Sequence, residues 1–177
     1  MVFENRFPPL DSGAAALVPV VAEFPFSSGP GVGRCEVVCF TSDHNTSFAE
    51  LPLHRVRTVV DAWIDRTEAL GALSGVEYVF AFENRGEEIG VTLSHRHGQI
   101  YGYPFVPPRF TKVVDAAAAH QAEHGSCLQC DIAEAETKHG ERVVLDSEHF
   151  LVYVPFAARW PYEARIVPTG TFRTCPR

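Results

Sequence analysis

Residues 82–103 read FENRGEEIGVTLSHRHGQIYGY, and the run His95-Arg96-His97-Gly98-Gln99 inside them decides how the rest of the chain is read. Gln99 to Val106 predicts a strand closed by Pro107-Pro108, and Tyr78 to Glu83 predicts a second one, ended by the turn signal Asn84-Arg85-Gly86. The two imidazoles at i and i+2 are expected to face opposite ways, one to ligate or orient and the other to meet a substrate. Gln99, two residues past His97 on an extended backbone, shares its face, and its carboxamide can hydrogen-bond an anion under attack. That arrangement suits a histidine nucleophile acting on a phosphate ester.

Outward from this run the chain alternates strands with helices. VFENRF at the N-terminus is strand-like, residues 8–33 form an irregular excursion rich in Pro, Gly, Ser and Ala, and Cys35 to Thr41 is a β-rich strand. Pro52 suits a first helical residue, and Leu53, Val56, Val60, Trp63 and Leu70 recur at helical spacing to about Leu73. An alanine-rich helix from about Phe110 to Glu123 is stopped by Gly125. Cys127-Leu-Gln-Cys130, a polar helix-like segment to about Gly140, and strands at Arg142–Leu145 and His149–Pro155 follow. The expected fold is α+β, with an antiparallel sheet, the helix from Pro52 packed across its face, and His95 and His97 at the start of one strand.

Composition narrows the function classes. The 177 residues favour one domain or little more, and 46% hydrophobic with 21% charged residues is an ordinary globular balance. Fifteen Lys and Arg against 22 Asp and Glu give a net charge of −7, which argues against a nucleic-acid backbone as the main partner and leaves room for a local phosphate site. No apolar run approaches the roughly 18 residues of a membrane span. Five cysteines without an even framework, and no signal peptide ahead of the first strand, point to a reducing cytoplasm.

The motif, with FENRFPPL (3–10), CEVVCFTSDHNTSFAEL (35–51) and EHFLVYVPFAARWPYEARIVP (148–168), resembles the galactose-1-phosphate uridylyltransferase family. That family lies in a histidine-triad-like superfamily of nucleotide transferases and hydrolases. The resemblance implies a histidine-triad-like antiparallel sheet with packed helices, the first half at residues 1–108 and the opening of a second at 109–177. The family continues into a long second half, so the chain is expected to be truncated at both ends. Exposed strand edges then imply a homo-oligomer, or a complex with a chain supplying the missing segments.

The resemblance also assigns roles. His97 becomes the nucleophile that takes UMP from UDP-glucose and passes it to galactose 1-phosphate, with Gln99 holding the phosphate or the intermediate. Asn5 and Arg6 match positions near the ribose, and Asn84, Gly90 and Thr92 match positions around the phosphates. His44 and His95 match zinc ligands whose partner Cys-x-x-Cys is absent from this chain. Arg96 stands where the family usually has a proline that fixes the backbone. Cys127 and Cys130 form a metal-like half-site, with His124, His139 and His149 as local candidates to complete it and a redox or packing role as the alternative. Two rivals remain: an adenylyl-transferring phosphorylase or nucleotide hydrolase of the same superfamily, and an inactive nucleotide-binding fragment. Gln99 stands where triad-type hydrolases carry a third histidine, which favours transfer.

Overall fold

The computed structural model describes residues 1–11, 13, 31–86 and 95–170. Two compact units divide the chain, Met1–Pro107 and the residues from Pro108 onward. In the first, β1 (Val2–Glu4), β2 (Arg34–Cys39), β3 (Tyr78–Phe82) and β4 (His97–Tyr103) form an antiparallel sheet in the order β1-β2-β4-β3. The expected α+β class with an antiparallel sheet is therefore observed.

The period-2 alternation of a strand, combined with the register, sorts the residues onto two faces. Cys39 pairs with His97, Val37 with Gln99, Phe82 with Gln99 and Phe80 with Tyr101, so these residues share one face. Val38, Ile100, Val79 and Ala81 lie on the other, where α1 (Leu53–Gly71) covers them. Val38, Phe40, Leu51, Val59, Leu70 and Ile100 form the buried core there, with Val56 and Trp63 packed against it.

The stripe of α1 is narrower than its sequence suggested. Leu53 and Val60 are exposed. At 100° per residue they sit roughly 90° and 70° round the helix from the centre of the row through Val56, Val59, Trp63 and Leu70. Pro52 is the N-cap, not the first helical residue, and its carbonyl accepts from the N–H of Arg55 and Val56.

A buried ion pair fixes the helix on the sheet. Glu36 of β2 is 4% exposed, and Arg66 of α1 donates to it twice, Nε to Oε2 at 2.7 Å and Nη2 to Oε1 at 3.0 Å. Arg34 Nε lies 3.5 Å from the same carboxylate. The Glu36 carboxylate in turn holds the Arg66 guanidinium above its ordinary pKa.

Between His97 and Gln99 the chain needs a glycine. A Cβ on Gly98 would sit 3.0 Å from the Phe40 ring and 3.2 Å from the Phe82 carbonyl oxygen. The absence of a side chain lets β4 lie close over the core while His97 and Gln99 face away from it.

In the second unit, α2 (Pro108–His124) and α3 (Leu128–His139) precede a three-stranded antiparallel sheet, β5 (Val143–Asp146), β6 (Phe150–Tyr153) and β7 (Arg165–Pro168), in that order. Gly125 at φ 73° and Gly140 at φ 78° end the two helices in the left-handed conformation. Strand β7 was not expected from the sequence. Leu151 and Tyr153 are buried, and Glu136 is buried against Arg142 at 2.9 Å. No helix among the described residues is long and apolar enough to cross a membrane.

Candidate active site

The site forms where β2 and β4 end side by side. Beyond Cys39 the chain turns through Thr41–Thr46, and this loop is held by its own side chains. Asp43 Oδ1 accepts the Asn45 N–H at 2.9 Å, its Oδ2 accepts the Thr46 hydroxyl at 2.7 Å, and Thr41 Oγ1 accepts the Asp43 N–H at 3.1 Å. These bonds hold the Asp43 carboxyl below its usual pKa. They also present His44 to His95, which lies two residues ahead of β4.

The His95 ring is fixed at both nitrogens. Nε2 lies 2.9 Å from the Thr41 carbonyl, which can only accept, so Nε2 carries the proton and Nδ1 keeps a lone pair. That lone pair faces His44 Nδ1 at 2.8 Å. Two imidazole nitrogens converge on one point, with one ring braced by a backbone carbonyl in the manner of a metal-ligating histidine.

His97 opens β4, and its Nδ1 lies 2.8 Å from the His95 carbonyl. By the same reasoning Nδ1–H donates and Nε2 keeps the lone pair that a nucleophile needs. His97 and Gln99 line a cavity of about 460 Å³ with Phe3, Asn5, Arg6, Phe7, Val37, Cys39 and His95. Asn5 Oδ1 accepts the Phe7 N–H at 3.0 Å, which curls the end of β1 around the cavity mouth. The Arg6 guanidinium lies 5.6 Å from the centre of the Phe7 ring.

The expectation that His95 and His97 face opposite ways is corrected here. Residues two apart on a strand share a face, and His95 precedes the strand in a bend, so both line the same cavity. Their roles are separated by partners among the described residues: His95 is engaged with Thr41 and His44 through both ring nitrogens, and His97 with the His95 carbonyl through Nδ1 alone.

Other expected residues fare differently. Asn84 is exposed beyond β3 and is not among the residues lining this cavity, and Gly90 and Thr92 lie outside the described residues. Cys127 and Cys130 are both exposed. Hydrogen bonds from Cys130 and the Gln129 backbone pull the Cys127 thiol below its ordinary pKa. His120, in the preceding helix, is directed to Asp131 Oδ2 at 2.6 Å, and Ser126 donates to the same oxygen. Among the described residues no three His, Cys, Asp or Glu side chains gather into a metal-binding group. The donors that do approach one another are a histidine pair, His44 and His95, and a thiol pair, Cys127 and Cys130, each two short of the four ligands of a structural zinc.

Phe3, Phe7, Val37, Cys39 and Tyr101 were not singled out by the sequence reading. Val37 and Cys39 could have been found from period-2 alternation once β2 was paired with β4, because they face Gln99 and His97 across the ladder.

Comparison with known proteins accords with this geometry. Residues 1–107 match the model of the galactose-1-phosphate uridyl transferase N-terminal domain and residues 113–173 that of its C-terminal domain. The galactose-1-phosphate uridylyltransferase of Streptomyces lividans is 49% identical over 168 residues, 95% of this chain and 42% of that protein. That of Thermotoga maritima is 43% identical over 168 residues, 95% of this chain and 52% of that protein. A solved uridylyltransferase structure superposes with a TM-score of 0.86 at 33% identity, covering 96% of this chain and 53% of that one. The chain thus spans about half the length of the relatives it matches. With both family models matched in order and a site built from paired histidines at the mouth of a small cavity, the chain belongs to the galactose-1-phosphate uridyl transferase family.

Proposed function

We propose that this chain carries the nucleophilic half of a uridylyl transfer between UDP-glucose and galactose 1-phosphate. The observation that carries the reading is the His97 ring, tied through Nδ1 to the His95 carbonyl at 2.8 Å, which leaves the Nε2 lone pair at the wall of the cavity it shares with Gln99. In the first displacement Nε2 attacks the α-phosphorus of UDP-glucose. The bond from that phosphorus to the bridging oxygen breaks, and glucose 1-phosphate leaves with the electron pair. The imidazole gains positive charge as it is uridylylated, and the His95 carbonyl, already accepting from Nδ1–H, stabilises that charge without reorganising. In the second displacement a phosphate oxygen of galactose 1-phosphate attacks the same phosphorus and the bond to Nε2 breaks, which returns the ring to its starting state. Gln99 offers its carboxamide to the non-bridging oxygens. Asn5 and Arg6 serve the nucleoside end of the cavity, and the family resemblance assigns Asn84, Gly90 and Thr92 to the phosphates.

Zinc, where bound, is held by His44 and His95 and separately by Cys127 and Cys130, and it supplies structural cross-linking. On the histidine side it would clamp the 41–46 loop to the strand that carries His97. The protein acts in the cytoplasm, as a homo-oligomer or with a chain that supplies further segments. Gln99, in the place of a third histidine, favours transfer over the hydrolase reading.

The test is to incubate the purified chain with UDP-glucose and locate any uridylyl group by intact mass and peptide mapping. A label on His97, partial in the chain alone and absent from His97→Ala, is expected. Label that survives His97→Ala overturns the assignment, and no label under any condition supports the inactive-fragment reading.

A further inference from the structure

We propose that Tyr101 is a positioning residue for Gln99 and that it biases the His97 site towards transfer and away from hydrolysis. The second half of this rests on the uridylyl-transfer reading, and the first half stands on geometry alone. Tyr101 follows Gln99 by two residues on the same face of β4, and its hydroxyl donates to Gln99 Oε1 at 2.8 Å. A carboxamide has one acceptor oxygen and one donor nitrogen, so a bond that engages Oε1 leaves the two N–H donors for a ligand.

The phenol is itself held in place. Its ring meets Phe82 edge-on at 5.0 Å and Tyr103 at 5.9 Å, and Phe82 sits directly across the ladder from Gln99. Burial, with Cys35 and Tyr103 nearby, pushes the Tyr101 hydroxyl above its ordinary pKa, so it stays a donor at neutral pH.

Orientation of Gln99 matters because the two possible second nucleophiles need different help. A hexose 1-phosphate attacks through an oxygen that is already anionic and needs no base. Water attacking the uridylyl-His97 phosphorus releases UMP as the bond to Nε2 breaks, and it must shed a proton, so it gains from an acceptor that orients it. Oε1 is the acceptor Gln99 would offer such a water, and Tyr101 takes one of its two lone pairs and fixes where it points. The N–H donors of Gln99 meanwhile serve the phosphoryl oxygens in both reactions alike.

Tyr101→Phe removes one oxygen and keeps the ring. With UDP-glucose as donor, the ratio of UMP released to water against uridylyl group delivered to galactose 1-phosphate should rise roughly three- to tenfold, the worth of one hydrogen bond. In a Gln99→Ala background the same substitution should leave the ratio unchanged. A ratio unmoved in the Gln99 chain, or equally raised in the Gln99→Ala chain, overturns the transfer bias. Side-chain amide NMR of the chain with 15N-labelled glutamine decides the positioning without turnover. The Gln99 carboxamide protons should exchange slowly with solvent in the parent chain and several-fold faster in Tyr101→Phe. Unchanged exchange overturns the positioning role even if the chain takes no uridylyl label at all, an outcome that counts separately against the proposed function.

Discussion

The Nδ1 atoms of His44 and His95 stand 2.8 Å apart, while Nε2 of His95 is engaged by the Thr41 carbonyl. Without a metal this is a hydrogen bond from one neutral imidazole to another. A metal here would be held by these two nitrogens, and the Thr41 carbonyl already holds His95 in the tautomer it would need. Titration of the chain with zinc, followed by histidine ring NMR, should shift the His44 and His95 signals together. His44→Ala should weaken that binding roughly tenfold or more while leaving metal uptake at Cys127 and Cys130 intact. Loss of both uptakes in that variant would show that the pairs are not independent sites.

Gly98 gives a sharper prediction because its neighbours cannot move cheaply. The Phe40 ring is 1% exposed, and the Phe82 oxygen belongs to the adjoining strand. Gly98→Ala should destabilise the first unit by about 1–3 kcal/mol, the usual cost of overpacking, seen as a lower urea midpoint. It should also reduce uridylylation of His97, since the displaced backbone joins His97 to Gln99. A variant as stable as the parent would mean that the sheet and core lie farther apart than described.

How much of this was legible beforehand depends on the range of the interaction. His97 and Gln99 on one face follow from period-2 alternation within one strand, and the Gly125 and Gly140 stops follow from single residues with positive φ. The wall opposite them was not legible. Cys39 and Val37 face His97 and Gln99 only because β2 pairs with β4 in one register across some sixty residues of chain. His95 was misread because residues at i and i+2 on an extended backbone share a face, so opposite faces never followed from its spacing to His97. Strand β7 escaped notice because it is four residues long and begins on Arg165 and ends on Pro168, leaving little apolar pattern to read. The Tyr101–Gln99 bond is local, and could have been anticipated from two polar side chains at i and i+2.

The Glu36–Arg66 pair predicts an asymmetry between breaking a buried ion pair and replacing it. Arg66→Met leaves a carboxylate on a side chain that is 5% exposed, with Arg34 Nε at 3.5 Å as its remaining cation among the described residues, and should cost about 3 kcal/mol. Changing both residues, Glu36→Leu with Arg66→Met, removes the stranded charge and should recover most of that loss. Urea unfolding of the three variants measures the coupling. Equal destabilisation by the single and double changes would show that Arg66 acts through its packing and not through Glu36.

Acid should loosen the turn that leads into α1. Glu50 Oε2 accepts the Ser47 N–H at 2.7 Å, and its bonds with Ser47, helped by Arg85 and Arg96, hold its carboxyl below the usual glutamate pKa. A carboxyl depressed in the folded state contributes stability that is fully present above its unfolded value of about 4.3, and loses it as the pH falls through the lower folded value. Phe48, inside the same turn, packs against the Phe40 ring at 5.2 Å and stacks on Trp63 at 6.3 Å, so the turn reports to an indole. In a Trp160→Phe background, chemical denaturation followed by Trp63 fluorescence should show the parent more stable than Glu50→Gln at neutral pH. The gap should close as the pH is lowered from about 7 to about 3. Raising the ionic strength should narrow the neutral-pH gap only slightly, because hydrogen bonds with Ser47 outrank the two arginines as its cause. A gap that stays constant across that range would mean the Glu50 charge does not support the turn.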